Sequence, residues 1–169
     1  GWSWILKKEI VNNFYVIGIH PSDLPEYSGG SPIQNQIIDG ISSSKCTLFK
    51  ISQDIDKGPI LGKTHLDLDG NIKEIFKSIY NASIHLLEDF FSKFPNINEI
   101  SQNNKNIQNY KRLKPEDSNL SDKLINKTSC ENLYNLIRCR TEPYPNAFIK
   151  DETGTLYFEN VRFIKNEQK

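Results

Sequence analysis

Phe14-Tyr15-Val16-Ile17-Gly18-Ile19-His20-Pro21-Ser22-Asp23-Leu24-Pro25, residues 14–25, is the stretch from which the fold is read. From Phe14 to Ile19 nearly every side chain is apolar or β-branched, the pattern of a strand covered on both faces of a parallel sheet. A polar, proline-punctuated stretch follows, with His20 at the carboxyl end of the strand. In open α/β sheets, ligands bind beyond that end of the strands. Imidazole is the side chain whose unperturbed pKa lies nearest neutrality, so it can lend or take a proton in a transition state. On position alone, a structural histidine hydrogen-bonded beneath a loop fits His20 equally well.

Downstream, Pro21, Pro25, Gly29 and Gly30 mark a long loop, and Ser31-Pro32 signals a helix start with an N-cap serine and proline at the first position. Ile33, Ile37 and Ile38 share a face of that helix, and Gly40 ends it. Lys45 to Ile51 reads as a second strand and Ile60 to Leu68 as its return, joined by the polar turn Gln53 to Pro59 that carries Asp56. Asp-x-x-Gly-Pro is ordinary turn chemistry, so local pattern alone favours a turn role for Asp56. Asn71 with Glu74 forms a capping box for a long amphipathic helix, which Pro95 stops. His65 and His85 fall within the return strand and the long helix with no acidic or cysteine neighbour at ligand spacing, and both are read as structural.

Upstream, Gly1-Trp2-Ser3-Trp4-Ile5-Leu6 opens abruptly in aromatic and apolar character, which suggests that sequence is missing before it. Beyond the long helix, residues 96–109 shift to Asn, Gln, Ser and Lys, the composition of a surface segment. A smaller helix is signalled by Thr128 or Ser129 as cap, then Glu131, Leu133, Tyr134, Leu136 and Ile137. Two alternating runs around Asp151-Glu152-Thr153-Gly154 make a hairpin.

With 169 residues, 37% hydrophobic, 25% charged and 11% aromatic, the chain reads as globular rather than disordered or coiled-coil. Lysine plus arginine equal aspartate plus glutamate at 21 each, so no net field draws it to nucleic acid or anionic lipid. The apolar runs are shorter than the ~20 residues of a membrane helix, and Lys7, Lys8 and Glu9 interrupt any signal-peptide core. Cys46, Cys130 and Cys139 lack metal-ligand spacing and read as buried free thiols. A reducing, cytoplasmic setting is expected.

Two ordered motifs resemble the formyltransferase family. His20-Pro21-Ser22-Asp23-Leu24-Pro25, followed by Gly29-Gly30-Ser31-Pro32-Ile33-Gln34, resembles its signature loop. Asp54-Ile55-Asp56-Lys57-Gly58-Pro59-Ile60-Leu61 resembles its second signature, an aspartate two residues before glycine. Trp2 to Leu6 look like the segment lining the family's folate pocket. Tyr110-Lys111-Arg112 with Pro115-Glu116-Asp117-Ser118 look like the linker of its amino-sugar and tRNA members, and Leu133 to Arg138 with Pro143 to Phe148 like their carboxyl-terminal element. Nearly the whole chain is covered, from the middle of the catalytic domain onward.

The resemblance implies an α/β fold: a partial Rossmann-like formyltransferase sheet with flanking helices, plus a small C-terminal helix and β-hairpin. It divides the chain into the end of a catalytic domain at 1–95, a linker at 96–127 and the small element at 128–169. It implies a one-carbon transferase moving the formyl group of formyltetrahydrofolate to an amine through a tetrahedral oxyanion. His20 would stabilise that oxyanion, and Asp56 would orient His20 and help remove the amine proton. By the same resemblance Trp4, Ile5, Leu6, Asp54 and Ile55 would hold the folate, and Pro21, Ser22, Gly29, Gly30 and Ser31 the acceptor. No metal is implied.

Two departures stand out. The family asparagine two residues before the histidine is Gly18 here, with Gln34 or Gln36 the nearest side chains for its role, and the loop arginine is missing, Ser28 and Gly29 occupying its region. Balanced charge and a short tail favour a small-molecule acceptor, a nucleotide-linked amino sugar, over tRNA, with no nucleic-acid or membrane partner and with homodimerisation compatible. A deformylase-like hydrolase, a methionyl-tRNA formyltransferase-like enzyme and a non-catalytic binding module stay open as alternatives.

Overall fold

In the computed structural model, residues 5–103, 108–125 and 128–166 are described. A short helix, α1 (Lys8–Asn13), leads into β1 (Ile17–His20); the loop after it enters α2 (Pro32–Ile38), and β2 (Ser43–Lys50) and β3 (Ile60–Asp67) follow. Then come α3 (Ile72–Lys93), a 3-10 turn at Pro115–Ser118, α4 (Ser121–Ile125), α5 (Cys130–Arg138) and the hairpin β4 (Phe148–Lys150) and β5 (Thr155–Tyr157). The α/β expectation, with its helix and hairpin after the sheet, is met.

β1 does not sit in the parallel sheet expected, while β3 returns antiparallel beside β2 as its reading as a return strand implies. The order is β1-β2-β3, with β1 and β3 both antiparallel to β2. A continuous apolar run reports that both faces of a strand are covered, and carries no information about neighbour direction. The strand is also shorter than the run: Phe14 and Tyr15 are exposed and precede it. Helix α1 went unread because it buries no residue, so its sequence has no apolar stripe to find.

α3 starts as its capping box dictates: the Asn71 side chain accepts from the Lys73 and Glu74 amides, and Glu74 accepts from the Asn71 amide. Its buried face, Ile72, Ile75, Ala82, Leu86 and Phe90, packs on the sheet with Cys46, Leu48, Leu66 and Leu68. A Cβ on Gly62 would come within 3.3 Å of Leu86, so a bare strand position lets the helix lie close. Cys139 joins this core, while Leu120, Leu136, Ile137 and Ala147 form a second cluster beneath the hairpin.

Ser129 caps α5 as expected, its Oγ accepting from the Asn132 amide. Ser31 caps nothing in this way: it sits at φ 52°, makes no side-chain cap, and its Oγ accepts from the Leu113 amide at 3.0 Å. Cys46 and Cys139 are buried, and burial pushes both thiols up to about 11, which keeps them protonated and inert. Cys130 is exposed at the first turn of α5, contrary to the reading of all three as buried. His65 and His85 lie on β3 and α3 with exposed side chains. No described helix is long and apolar enough to cross a membrane.

Candidate active site

The site begins with the strand that carries His20. β1 pairs with β2 from Ile17 opposite Lys50 to His20 opposite Thr47, so the imidazole emerges where β1 runs into the loop. It is 7% exposed. Thr47, wholly buried beside it, fixes the loop's first turn by donating to the Ser22 carbonyl at 2.6 Å and accepting from the Leu24 amide at 3.2 Å. The loop then doubles back, and the Tyr27 carbonyl lies 3.0 Å from His20 Nε2. A carbonyl only accepts, so this bond places the ring proton on Nε2 and turns Nδ1 to the other side.

On that other side stands Asp56, its Oδ2 3.6 Å from Nδ1. The separation exceeds a hydrogen bond and would be that of an ion pair only with an imidazolium. The same oxygen accepts the Gly29 amide at 2.8 Å. Two motifs about three dozen positions apart therefore meet at one carboxylate oxygen, one through an imidazole and the other through a main-chain amide.

Backbone strain holds this meeting. Tyr27, Ser31 and Asp56 all have positive φ, at 54°, 52° and 55°. For residues with a Cβ that conformation costs roughly 1–2 kcal/mol each, and aspartate tolerates it better than most. At the Asp56 turn, Gly58 is required by a close approach: a Cβ there would collide with the main-chain oxygen of Lys50. Tyr27 is tied down at three points. Its ring stacks on Tyr110 at 5.0 Å, its hydroxyl donates to Asp39 at 2.9 Å, and its carbonyl meets His20. Burial first, then the Asp39 hydrogen bond and charge, push the Tyr27 phenol far above its ordinary value, so it stays a donor.

Beside β1 opens a cavity of about 810 Å³, the size of a site for a drug-sized ligand. One wall is apolar, from Val11, Val16, Ile17, Phe49 and Leu87, and Asp54, Asp56 and Arg112 are its charged lining residues. Of the residues expected at the site, Ile5, Leu6, Asp54, Ile55, Asp56, Gly29, Gly30 and Ser31 line this cavity. His20 reaches it through its contact with Asp56 rather than as a lining residue. Pro21 and Ser22 are also outside the lining; Ser22 is wholly buried and donates to the Glu26 carbonyl at 2.6 Å. Trp4 lies outside the described residues.

Gly18 lines the cavity, at the position of the family asparagine. Neither glutamine substitutes for that amide. Gln36 is committed to the Pro21 and Pro32 carbonyls and to Ser44, and buried Gln34 hydrogen-bonds Tyr144. A residue of the segment read as linker does reach the cavity. Arg112 lines the cavity with its backbone pressed against Gly30, where a Cβ would collide with the Arg112 main chain. Polar, weakly patterned sequence around Arg112, Tyr110 and Gln102 carries no signal that these residues approach the site. Among the described residues no group of three or more His, Cys, Asp or Glu could hold a metal ion.

Comparison with known proteins follows the same lines. A family profile described as formyl transferase matches residues 1–85. Over 165 residues the chain is 30% identical to the methionyl-tRNA formyltransferase of Campylobacter lari, covering 97% of this chain and 52% of that protein. It is 31% identical over 149 residues to the bifunctional polymyxin resistance protein ArnA of Wigglesworthia glossinidia brevipalpis, covering 85% of this chain and 22% of that protein. Methionyl-tRNA formyltransferase from Clostridium thermocellum superposes with a TM-score of 0.84 at 35% identity, over 99% of this chain and 71% of that one. A sugar N-formyltransferase from Shewanella sp. FDAARGOS_354 shares the fold, with a TM-score of 0.76 at 21% identity over 96% of this chain and 68% of that one. The chain spans about half the length of the curated relatives it matches.

Proposed function

Since the chain belongs to the formyl transferase family, whose profile covers half of it, we propose that it carries the reacting pair of an enzyme that moves the formyl group of formyltetrahydrofolate to a primary amine. The observation behind this reading is the convergence of His20 and Asp56, from two separate motifs, beside one cavity. When bound, the folate supplies an activated formyl carbon. The residues present suit such a donor: Val16, Ile17, Phe49 and Leu87 offer an apolar wall to a flat ring system, and the Asp54–Ile55 turn offers polar backbone at its edge.

Transfer would form a bond from the amine nitrogen to the formyl carbon and break the bond from that carbon to the donor nitrogen, so negative charge would gather on the formyl oxygen, the attacking nitrogen would have a proton to lose and the departing nitrogen would need one to leave as tetrahydrofolate. Asp56, which lines the cavity, is the group placed to take that proton. His20 stands behind it with a proton held on Nε2, and an imidazolium there would stabilise both the carboxylate and charge developing beside it. From a neutral ring, whose one N–H is on the Tyr27 carbonyl, a direct donation to the oxyanion requires Nε2 to leave that carbonyl.

For the acceptor we favour the amine of methionyl-tRNA, because the relatives at 28–35% identity that cover nearly all of the chain are named for that reaction. The charge argument against nucleic acid concerns this chain alone, which is about half of those relatives' length. A nucleotide-linked amino sugar is the second reading, supported by the even balance of 21 basic and 21 acidic residues.

Incubation with formyltetrahydrofolate and either methionyl-tRNA or a panel of nucleotide amino sugars, with products weighed by mass spectrometry, tests the proposal. A gain of one CO on an amine supports transfer and identifies the acceptor class. Formate without a formylated amine would make the protein a hydrolase, and neither product would leave it a binding module.

A further inference from the structure

We propose that the segment read as a linker sets the geometry of the His20–Asp56 pair from two anchor points, with Gln102 and Tyr110 as positioning residues. This inference rests on that pair being the reacting pair.

Neither signature motif holds its functional group unaided. The Asp56 turn receives Gln102, whose Nε2 donates to the Asp56 carbonyl at 2.8 Å and to the Gly58 carbonyl at 2.7 Å. One amide thus bridges the two carbonyls that flank the tightest part of a turn whose central residue has positive φ. Two residues earlier, Ile100 exchanges both main-chain hydrogen bonds with Ile60, at 2.8 and 2.9 Å, so Gln102 is delivered from a fixed point on β3. Gln102 Oε1 is buried with no hydrogen-bond partner, so the side chain is held there by its donor end alone.

The second anchor acts on the glycine-rich loop. The Tyr110 amide donates to the Ser28 carbonyl at 2.9 Å, and the Gly30 amide donates to the Tyr110 carbonyl at 2.7 Å, forming a parallel bridge across Gly29. Leu113 adds its amide to Ser31 Oγ. Gly29 fits only without a side chain, since its φ is 99° and a Cβ would meet Asn109 and the Tyr110 carbonyl. The loop so clamped makes both contacts that define the pair: the Tyr27 carbonyl on His20 Nε2 and the Gly29 amide on Asp56 Oδ2. The Tyr110 ring lies against Tyr27, the residue whose carbonyl fixes the imidazole proton. Removal of that ring frees Tyr27 to relax, and the His20 tautomer is no longer dictated.

The test reads His20 directly and needs no turnover, so it stands apart from any failure to find a formylated product. Long-range proton–nitrogen correlation spectra of the isotope-labelled chain report which ring nitrogen carries the proton, with exposed His65 and His85 as internal references. The wild type is expected to show His20 as the Nε2–H form with a slowly exchanging proton. Tyr110→Ala is expected to give mixed tautomers, with exchange of that proton faster by about tenfold or more, whereas Tyr110→Phe, which keeps the stack, retains the wild-type signature. Gln102→Leu, which removes the donor and the orphaned oxygen together, is expected to speed exchange of the Gly29 amide by a similar factor. In the wild type the Gly30 amide and the His20 ring proton are expected to exchange through one shared opening, a measurement that decides the matter even if a variant fails to fold. A folded Tyr110→Ala chain with an unchanged His20 signature overturns the proposal, as does exchange of those two wild-type protons through unrelated openings.

Discussion

At the scale of single residues, the arrangement divides labour between a carboxylate that faces the cavity and an imidazole 7% exposed behind it. Asp56→Asn keeps an oxygen for the Gly29 amide but removes the base we propose, so formyl transfer is expected to fall by ~10²-fold or more with little change in melting temperature. Steady-state rates and a thermal melt on the same preparation check this. Gly18→Asn restores an amide at the cavity wall. Its Cβ would meet the Ile51 side chain at 3.1 Å and the ring edge of buried Phe49 at 3.2 Å, a crowding expected to cost about 1–3 kcal/mol of stability. Turnover is expected to rise by about tenfold or more, since one oxyanion donor is worth roughly 3 kcal/mol; an unchanged rate would mean that another group already fills the role. His20 and Asp56 were singled out through their resemblance to two family motifs, because position alone left His20 equally open to a structural role and gave Asp56 to an ordinary turn. The role of Tyr27 was not, because what matters is its main-chain oxygen and its positive φ, which no side-chain pattern encodes.

At the scale of elements, two devices tie the pieces together. Arg138, 6% exposed on α5, donates through Nη1 to the Leu68 and Gly70 carbonyls and through Nε to Asn135. It bolts the carboxyl-terminal helix to the turn between β3 and α3. Arg138→Met would orphan those carbonyls, and urea unfolding is expected to show a loss of about 2–4 kcal/mol. The second device is Asp23, which binds Lys45 of β2 and Lys63 of β3. Burial alone would push its carboxyl up, but the hydrogen bonds and charges of Lys63 and Lys45 outweigh this and hold it below its ordinary value. A carboxylate with a lowered folded-state pKa stabilises above its unfolded value of about 4 and loses that contribution as pH falls through the folded value. The gap in stability between wild type and Asp23→Asn is therefore expected to be widest above about pH 5 and to close under stronger acid, as denaturant melts across pH would record. Helix boundaries and the hairpin were readable from capping residues and turn chemistry at Asn71, Ser129 and Asp151–Gly154. The direction of β3 was readable too, from the polar turn that returns it beside β2, but that of β1 was not, because apolar continuity reports coverage and not the direction of neighbours.

At the scale of the whole molecule, the site is assembled by parts that lie far apart in sequence: β1, the glycine loop, the Asp56 turn and the segment carrying Gln102, Tyr110 and Arg112. The last of these reads as polar surface, since its contribution is made by main-chain bridges and one buried amide. A second, more open groove lined by Asp23, Lys45, Lys63 and His65 lies elsewhere on the sheet and provides an internal comparison. Titration of the labelled chain with 5-formyltetrahydrofolate, followed by nuclear magnetic resonance, asks which of the two is the site. Saturable shifts at the amides of Gly18, Gly29 and residues 54–56, with a coincident change in the His20 ring, are the predicted result. Saturable shifts confined to the Lys45, Lys63 and His65 groove, with the cavity beside β1 silent, would contradict the account.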